Sequence, residues 1–299
     1  MTFADSFRGE LAALTAALIW AVAAVIYTGV GRYLSPLILN LAKGLVAIAL
    51  MLVTLVLRGE LFPAVPDTAM ILLCFSGVIG IGIGDTAYFE SLNCIGARRS
   101  LVIGSLAPPL AAVLALIFLQ EELSTPAWLG ITLTIAGVIW VVLERVQDRT
   151  QPQFRPLRGI GFSVLAALCQ ATGAVLSRAA LAGTEINPLW SSLVRLLAGT
   201  LILLIWIGLQ HRSWKEFRAL RSQKLLAMLI PTAFASTFLA IWLQQISLKY
   251  AATGIAQSLS ATSPLFVIPL AIAQGEKVSL RAILGVIVAL AGVWLLFSR

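Results

Sequence analysis

The feature that most constrains this chain is that a long piece of it is written twice. The stretch that opens SLNCIGARRSLVIGSLAPPL at Ser91 returns as SLKYAATGIAQSLSATSPLF at Ser247. Ser91-Leu92 matches Ser247-Leu248, and Pro108 matches Pro264 in the same register. After one skipped residue, Glu121 and Ser124 match Glu276 and Ser279, and Gly130 and Gly137 match Gly285 and Gly292. Ordered matches over about fifty residues are a duplication rather than chance. It extends more faintly to Arg8-Gly9 with Arg158-Gly159, and to Pro36 and Lys43 with Pro188 and Arg195. The chain therefore reads as two like halves, 1–150 and 151–299, joined by the polar linker ERVQDRTQPQFRPLR.

What each half can be follows from its surface. Only 11% of residues are charged and 60% are hydrophobic, against roughly 25% charged in a soluble domain. Such a chain cannot coat a water-facing surface, so its solvent is the lipid bilayer. The net charge of +8 then reads as basic loops under the positive-inside rule, with no nucleic-acid partner implied. Cys74, Cys94 and Cys169 lack metal-ligand spacing, and the one histidine, His211, sits in a polar loop. No metal or cofactor is expected, and no Gly-x-x-x-x-Gly-Lys-Ser loop is present to hydrolyse ATP. The N-terminus MTFADSFRGE has no short apolar core with a cleavage site behind it, so no cleaved signal peptide is expected.

A span needs about 20 apolar residues. Ten stretches qualify, at about 11–31, 36–57, 68–92, 100–119, 126–143, 159–182, 188–209, 225–248, 254–274 and 280–297. The expected fold is an all-α integral membrane protein of ten transmembrane helices. Ser35-Pro36, Asn187-Pro188 and Thr125-Pro126 punctuate span starts. Five spans per half force the second copy to insert upside down. The loop charges agree: 58–67 has one arginine against two acids, while its counterpart carries Arg212, Lys215, Arg218, Arg221 and Lys224. Two inverted five-helix repeats place a transporter's site near the midplane between them. Odd-numbered loops hold most of the loop Lys and Arg, which puts them in the cytoplasm and both termini outside. The 211–224 loop is either an interfacial helix with Trp214, Phe217 and Leu220 facing the lipid, or simply basic.

The ordered motifs resemble the EamA-type transporters of the drug/metabolite transporter superfamily, over nearly the whole chain as two repeats. They are Trp20 in span one, Ser35-Pro36 opening span two, Ser91-Leu92 ending span three, the Pro108 span, the Gln120-Glu121-Glu122-Leu123-Ser124 turn, the Gly130/Gly137 span, Ser263-Pro264, and Gly275-Glu276-Lys277. The resemblance implies a ten-helix carrier in the inner membrane that exports amino acids or other small metabolites by alternating access. It also implies cytoplasmic termini, against the reading from loop charge. Span two of the family usually carries arginine where this chain has Lys43, and Asp85 is not a family fixture.

Charges at membrane depth cost at least about 2.5–3.5 kcal/mol, so they face a cavity or a partner. Lys43 lies mid-span one turn beyond Asn40; Arg195 lies at the equivalent place beyond Ser191 and Ser192. Each half so offers a cation to a shared centre, for a substrate carboxylate or for a structural partner. Trp20 and Tyr27 share a face of span one, with Gln170 and Ser177 matching them on span six; Tyr88 matches Gln244, which Gln245 follows. Gln257 and Ser258 make span nine polar. These residues form the expected substrate-binding set. Asp85 is the candidate for proton coupling, with Lys43 its partner, and a permanent ion pair is the alternative. Pro108 and Pro264 are mid-span hinge candidates. Glu121 and Glu276 either cap the helices that follow them or form gating ion pairs.

Three readings stay open: a secondary transporter, an uncoupled facilitator or channel of the same fold, and an intramembrane aspartyl protease suggested by Gly82-Ile83-Gly84-Asp85. The protease needs two aspartates sharing a proton, and only Asp85 of the four lies in a span. Gly77, Gly80 and Gly84 read better as a close-packing face. The glycines of spans five and ten read as packing those two spans together, with a dimer seam as the lesser alternative. The chain is expected to act as a monomer or weak homodimer on a small-molecule substrate.

Overall fold

A computed structural model describes residues 7–30, 33–144, 155–209, 220, 222–263, 265–266 and 280–297. Pro264, Glu276 and most of the 211–224 loop lie outside the described residues. Among the described residues the regular structure is helical throughout. Helix α1 is Arg8–Val30 and α2 is Pro36–Arg58. Helix α3, Asp67–Ser76, passes through a π-helical stretch, Gly77–Asp85, into α4, Thr86–Gly104. Then come α5 (Ala107–Leu119), α6 (Thr125–Glu144), α7 (Pro156–Leu181) and α8 (Pro188–Leu209). Helix α9, Gln223–Ala233, passes through a second π stretch, Phe234–Leu239, into α10, Ala240–Tyr250; α11 is Thr253–Ser260 and α12 is Leu280–Phe297. Five helical segments are long and apolar enough to cross a membrane: α2, Asp67–Ile95, α7, α8 and Gln223–Tyr250. Ala107–Leu119, Thr125–Trp140 and Ile283–Leu296 are shorter apolar helices.

The boundary between the third and fourth expected spans differs from the sequence reading. Helix runs on through 93–99. Residues nine apart in a straight helix are about 13.5 Å apart along the axis, yet the hydroxyls of Ser91 and Ser100 meet at 2.5 Å. The axis therefore doubles back without losing helical backbone. Ser163 of α7 also reaches Ser91, at 2.7 Å.

The duplication is visible in the irregularities as well as in the helices. In the Ser91/Ser247 register, Ser105-Leu106 lies opposite Ala261-Thr262, and both pairs are turns that interrupt the helix just before a proline. The two π stretches also overlap in that register. The second follows Pro231, which sits inside α9 and supplies no N–H to the ladder. The first is the glycine-rich GVIGIGIGD.

The halves interlock, because the first π stretch packs on α7 and α8 of the other half, and the second on α1 and α2. The glycines explain how close this is. A Cβ on Gly77 would stand 2.1 Å from the carbonyl oxygen of Arg195, and one on Gly199 would stand 2.9 Å from that of Gly77. Helices α6 and α12 meet in the same way: a Cβ on Gly137 would lie 2.4 Å from the nitrogen of Ala289, and one on Gly292 2.4 Å from that of Thr134. The glycine seams of spans five and ten thus face each other within one chain, and a dimer seam is not needed to account for them.

Candidate functional site

Two apolar clusters leave a polar layer between them. On α2 one cluster, built with Leu203, Ile207 and Leu229, ends at Ala42. The other begins at Ala47 and is built with Leu189, Leu193 and Phe238. Lys43 lies in the gap. Its Nζ is 2.7 Å from Oδ2 of Asp85, the last residue of the first π stretch, and 5.2 Å from the ring centre of Phe89. The lysine side chain is 10% exposed and the carboxylate 30%. The structure therefore brings together the two residues that the sequence suggested as partners.

Arg195 reaches the same π stretch from α8 of the other half. It is 4% exposed. Its Nη2 lies where a Cβ on Gly80 would be 3.3 Å away, so glycine at 80 makes room for the guanidinium. Gly80 and Asp85 are five residues apart, about one π turn. Arg195 and Lys43 thus approach one acid-bearing segment from opposite halves. Nε and Nη1 of Arg195 have no hydrogen-bond partner among the described residues. Unpaired donors on a buried cation are costly, which makes this guanidinium the best-placed group in the layer to receive an anion.

Asn40 lies one turn before Lys43, and its amide is engaged by the π stretch. Its Nδ2 donates to the carbonyl of Ile81 at 3.0 Å and to Oγ1 of Thr86 at 3.3 Å. Thr86 in turn donates to the carbonyl of Gly82 at 2.7 Å. A π stretch misaligns the carbonyl ladder, and in lipid the freed groups need side-chain donors. Trp20 serves the second π stretch in the same way, its Nε1 donating to the carbonyl of Ser236 at 2.9 Å. Ser236 gives its own proton to Thr232 at 2.7 Å, so the hydroxyl of Tyr27, 3.0 Å away, donates to Ser236. With these groups committed, the ring face of Trp20 is what it still offers to a solute.

The remaining candidates are more scattered. Gln244 and Gln245 are buried on α10; Oε1 of Gln245 accepts from Ser191 at 3.4 Å, and its Nε2 has no partner among the described residues. That bond puts Gln245 one helical turn from Arg195. Gln257 is buried on α11 with Nε2 unpartnered among the described residues, and Ser258 returns its hydroxyl to Gly254 at 2.8 Å. Tyr88 and Gln170 are half-buried, Tyr88 with its ring 5.9 Å from Phe89. Among the described residues no hydrogen bond ties Gln170, Gln257 or Ser258 to Lys43, Asp85 or Arg195. Pro108 stands in the first turn of α5, where its missing N–H costs nothing. The break lies at the turn before it.

Sequence reasoning passed over Ser236, Thr86 and Arg178. The first two look like ordinary small polar residues in a span, and only a π stretch gives them a task. Arg178 carried a usable signal, being a further cation inside the apolar segment of span six.

The model of the EamA-like transporter family matches the chain twice, over residues 7–143 and 157–298. A solved protein crystal structure has the same fold, with a TM-score of 0.78 and 17% identity over 97% of this chain and 96% of that one. No curated protein matches the chain.

Proposed function

Because the chain belongs to the EamA-like transporter family, and so is a multi-pass membrane protein of the drug/metabolite transporter superfamily, we propose that it is a secondary transporter that exports small carboxylate-bearing metabolites across the inner membrane. In this reading ten helices cross the bilayer as two inverted repeats, 1–150 and 151–299. The shorter apolar helices α5, α6 and α12 bring the five long ones to eight, and α1 and the span that opens with α11 make ten. The substrate site lies where the two π stretches meet α2 and α8, and a monomer suffices to build it.

The observation that carries the proposal is the buried guanidinium of Arg195, with Nε and Nη1 unpartnered among the described residues, on the π stretch that ends in the Lys43–Asp85 pair. Arg195 binds the substrate carboxylate with its guanidinium, whose Nε and Nη1 donors are unpartnered among the described residues. Lys43 is shared between Asp85 and the substrate. When Lys43 turns to the substrate, Asp85 loses its counter-charge and takes up a proton. That couples one proton to each substrate bound, so the two cross and are released together. Trp20 and Tyr27 line the approach and Gln245 adds an amide beside Arg195. The tight Lys43–Asp85 contact also fits a permanent bridge, in which case the protein is an uncoupled facilitator.

The test is uptake into proteoliposomes of a panel of amino acids, organic anions and cationic dyes, with and without an imposed pH gradient. Gradient-driven accumulation of a carboxylate solute, lost in Asp85→Asn and in Arg195→Met, is expected. Transport of the dyes but of no carboxylate would sink the substrate assignment. Accumulation by Asp85→Asn equal to that of the parent would move the proton site elsewhere, and no accumulation by the parent would leave the facilitator.

A further inference from the structure

One polar group outside that site joins four helix ends drawn from both halves. Glu121 stands just past the end of α5. Its Oε1 accepts from Nε of Arg178 on α7 at 2.5 Å, and its Oε2 accepts from the backbone N–H of Thr253, the first residue of α11, at 2.8 Å. Nη1 of Arg178 donates to the carbonyls of Leu248 and Lys249 at 3.0 and 2.8 Å, in the last turn of α10. The start of a helix leaves N–H groups unpaired and its end leaves carbonyls unpaired. Here an acid meets the first and a base the second, each in the sign the helix dipole favours. Glu121 therefore caps a helix of the opposite half, and not the one that follows it in sequence.

The same end of the bundle is drawn tight around this group. Cζ of Arg8 lies 4.7 Å from the ring centre of Tyr250. A Cβ on Gly9 would be 2.8 Å from Ala251, and one on Gly254 2.7 Å from Cβ of Ala112. Lys249 donates to the carbonyl of Ile186 at 2.9 Å, in the turn between α7 and α8. The N-terminal end of α1 and the ends of α5, α7, α10 and α11 thus converge at one face.

The duplication predicts an equivalent contact at the opposite face, and the sequence withholds its charge. The Tyr27/Ser177 register sets Thr28 opposite Arg178, and Glu276 lies opposite Glu121. A threonine cannot pair with an acid as an arginine does, so the register places no cation at position 28 to match Arg178. The Glu121 and Arg178 side chains are 15% and 17% exposed. That is enough shielding for the bond to hold and enough access for it to be remade when broken.

Resting on the transporter reading, we propose that Glu121 and Arg178 form the latch that closes the N-terminal face of the pathway. Its rupture is the step that opens that face, and the lack of a cation at position 28 biases the empty carrier towards this closed state. Arg178 is then a positioning residue for transport: it touches no substrate and sets which side is open.

The latch is tested by double electron–electron resonance in proteoliposomes. Spin labels are placed on Glu122→Cys and Glu185→Cys, both exposed and one on each side of the pair, with Cys74, Cys94 and Cys169 replaced by serine. The parent should show one short distance. Glu121→Gln keeps an oxygen for the Thr253 N–H and loses the charge, so a cap alone would be spared while a latch would weaken. Charge-assisted bonds of this kind carry a roughly tenfold or larger effect on an equilibrium. A longer distance whose population rises about tenfold in Glu121→Gln and in Arg178→Met supports the latch. Unchanged distances in Glu121→Gln overturn it, and Arg178→Lys extends the test should Arg178→Met fail to insert. The distance needs no solute, so it can fail while uptake succeeds, and uptake of every solute can fail while the distance responds.

Discussion

Lys43 and Arg195 occupy the same position in two copies of one fold, and their surroundings differ in kind. Lys43 has a carboxylate at 2.7 Å. Arg195 is buried more deeply, with Nε and Nη1 unpartnered among the described residues. The difference comes from the third span of each half, where Asp85 stands opposite Ile241 in the Ser91/Ser247 register. A duplicated scaffold has kept its helices, its π stretches and its glycine seams in both copies. It holds the Asp85 carboxylate in only one of them. Symmetry serves the fold, while a solute that is itself asymmetric needs an asymmetric set of charges.

The largest expected effect tests what holds Arg195 in place. Gly77→Ala puts a Cβ into the Arg195 backbone at 2.1 Å, where nothing can yield, whereas Gly80→Ala meets only the flexible end of the guanidinium at 3.3 Å. Gly77→Ala should abolish the monodisperse peak in size-exclusion chromatography. Gly80→Ala should keep it and lose transport. Equal behaviour of the two would mean that the guanidinium position does not matter.

The next contrast sets the two cations against each other. Lys43→Met strands the Asp85 carboxylate, which costs about 3–5 kcal/mol for a fully buried pair and less here because that carboxylate is 30% exposed. Arg195→Met removes Nε and Nη1, which no described protein group satisfies, so thermal unfolding in micelles should be unchanged or raised while carboxylate uptake is lost. A fall in stability as large as that of Lys43→Met would show that Arg195 has protein partners, and would dissolve the contrast.

The smallest effects should be alike in the two halves. Asn40→Ala and Trp20→Phe each remove one donor to a π carbonyl and should each cost about 1 kcal/mol of stability. A large cost in one half alone would mean that the two π stretches are not equivalent.

Much of the site was legible in the sequence because membrane depth makes charge expensive. Lys43, Asp85 and Arg195 each stood out as a charge that an apolar span must account for, and adjacency of spans two and three suggested the first pair. Asn40 and Trp20 were legible as residues that matter, and their hydrogen-bond partners were not. Their partners are backbone carbonyls of a π stretch, and no side-chain pattern announces a π stretch. Arg178 escaped notice because its partners come from the end of α5 and from α10, which lie far from it in the chain.

By itself the sequence determined the solvent, the duplication and the packing faces. Sixty percent hydrophobic residues fix the first, ordered repetition fixes the second, and glycines at matched places in spans five and ten fix the third, since only a residue without a side chain admits a neighbouring backbone. The tertiary structure alone decided which half's helix each glycine meets, where the ladder turns π, and that Glu121 caps a helix of the opposite half. These are contacts between segments that lie far apart in the chain. Composition and periodicity describe each segment against its own neighbours, and carry no term for a partner that the chain reaches only after it has folded.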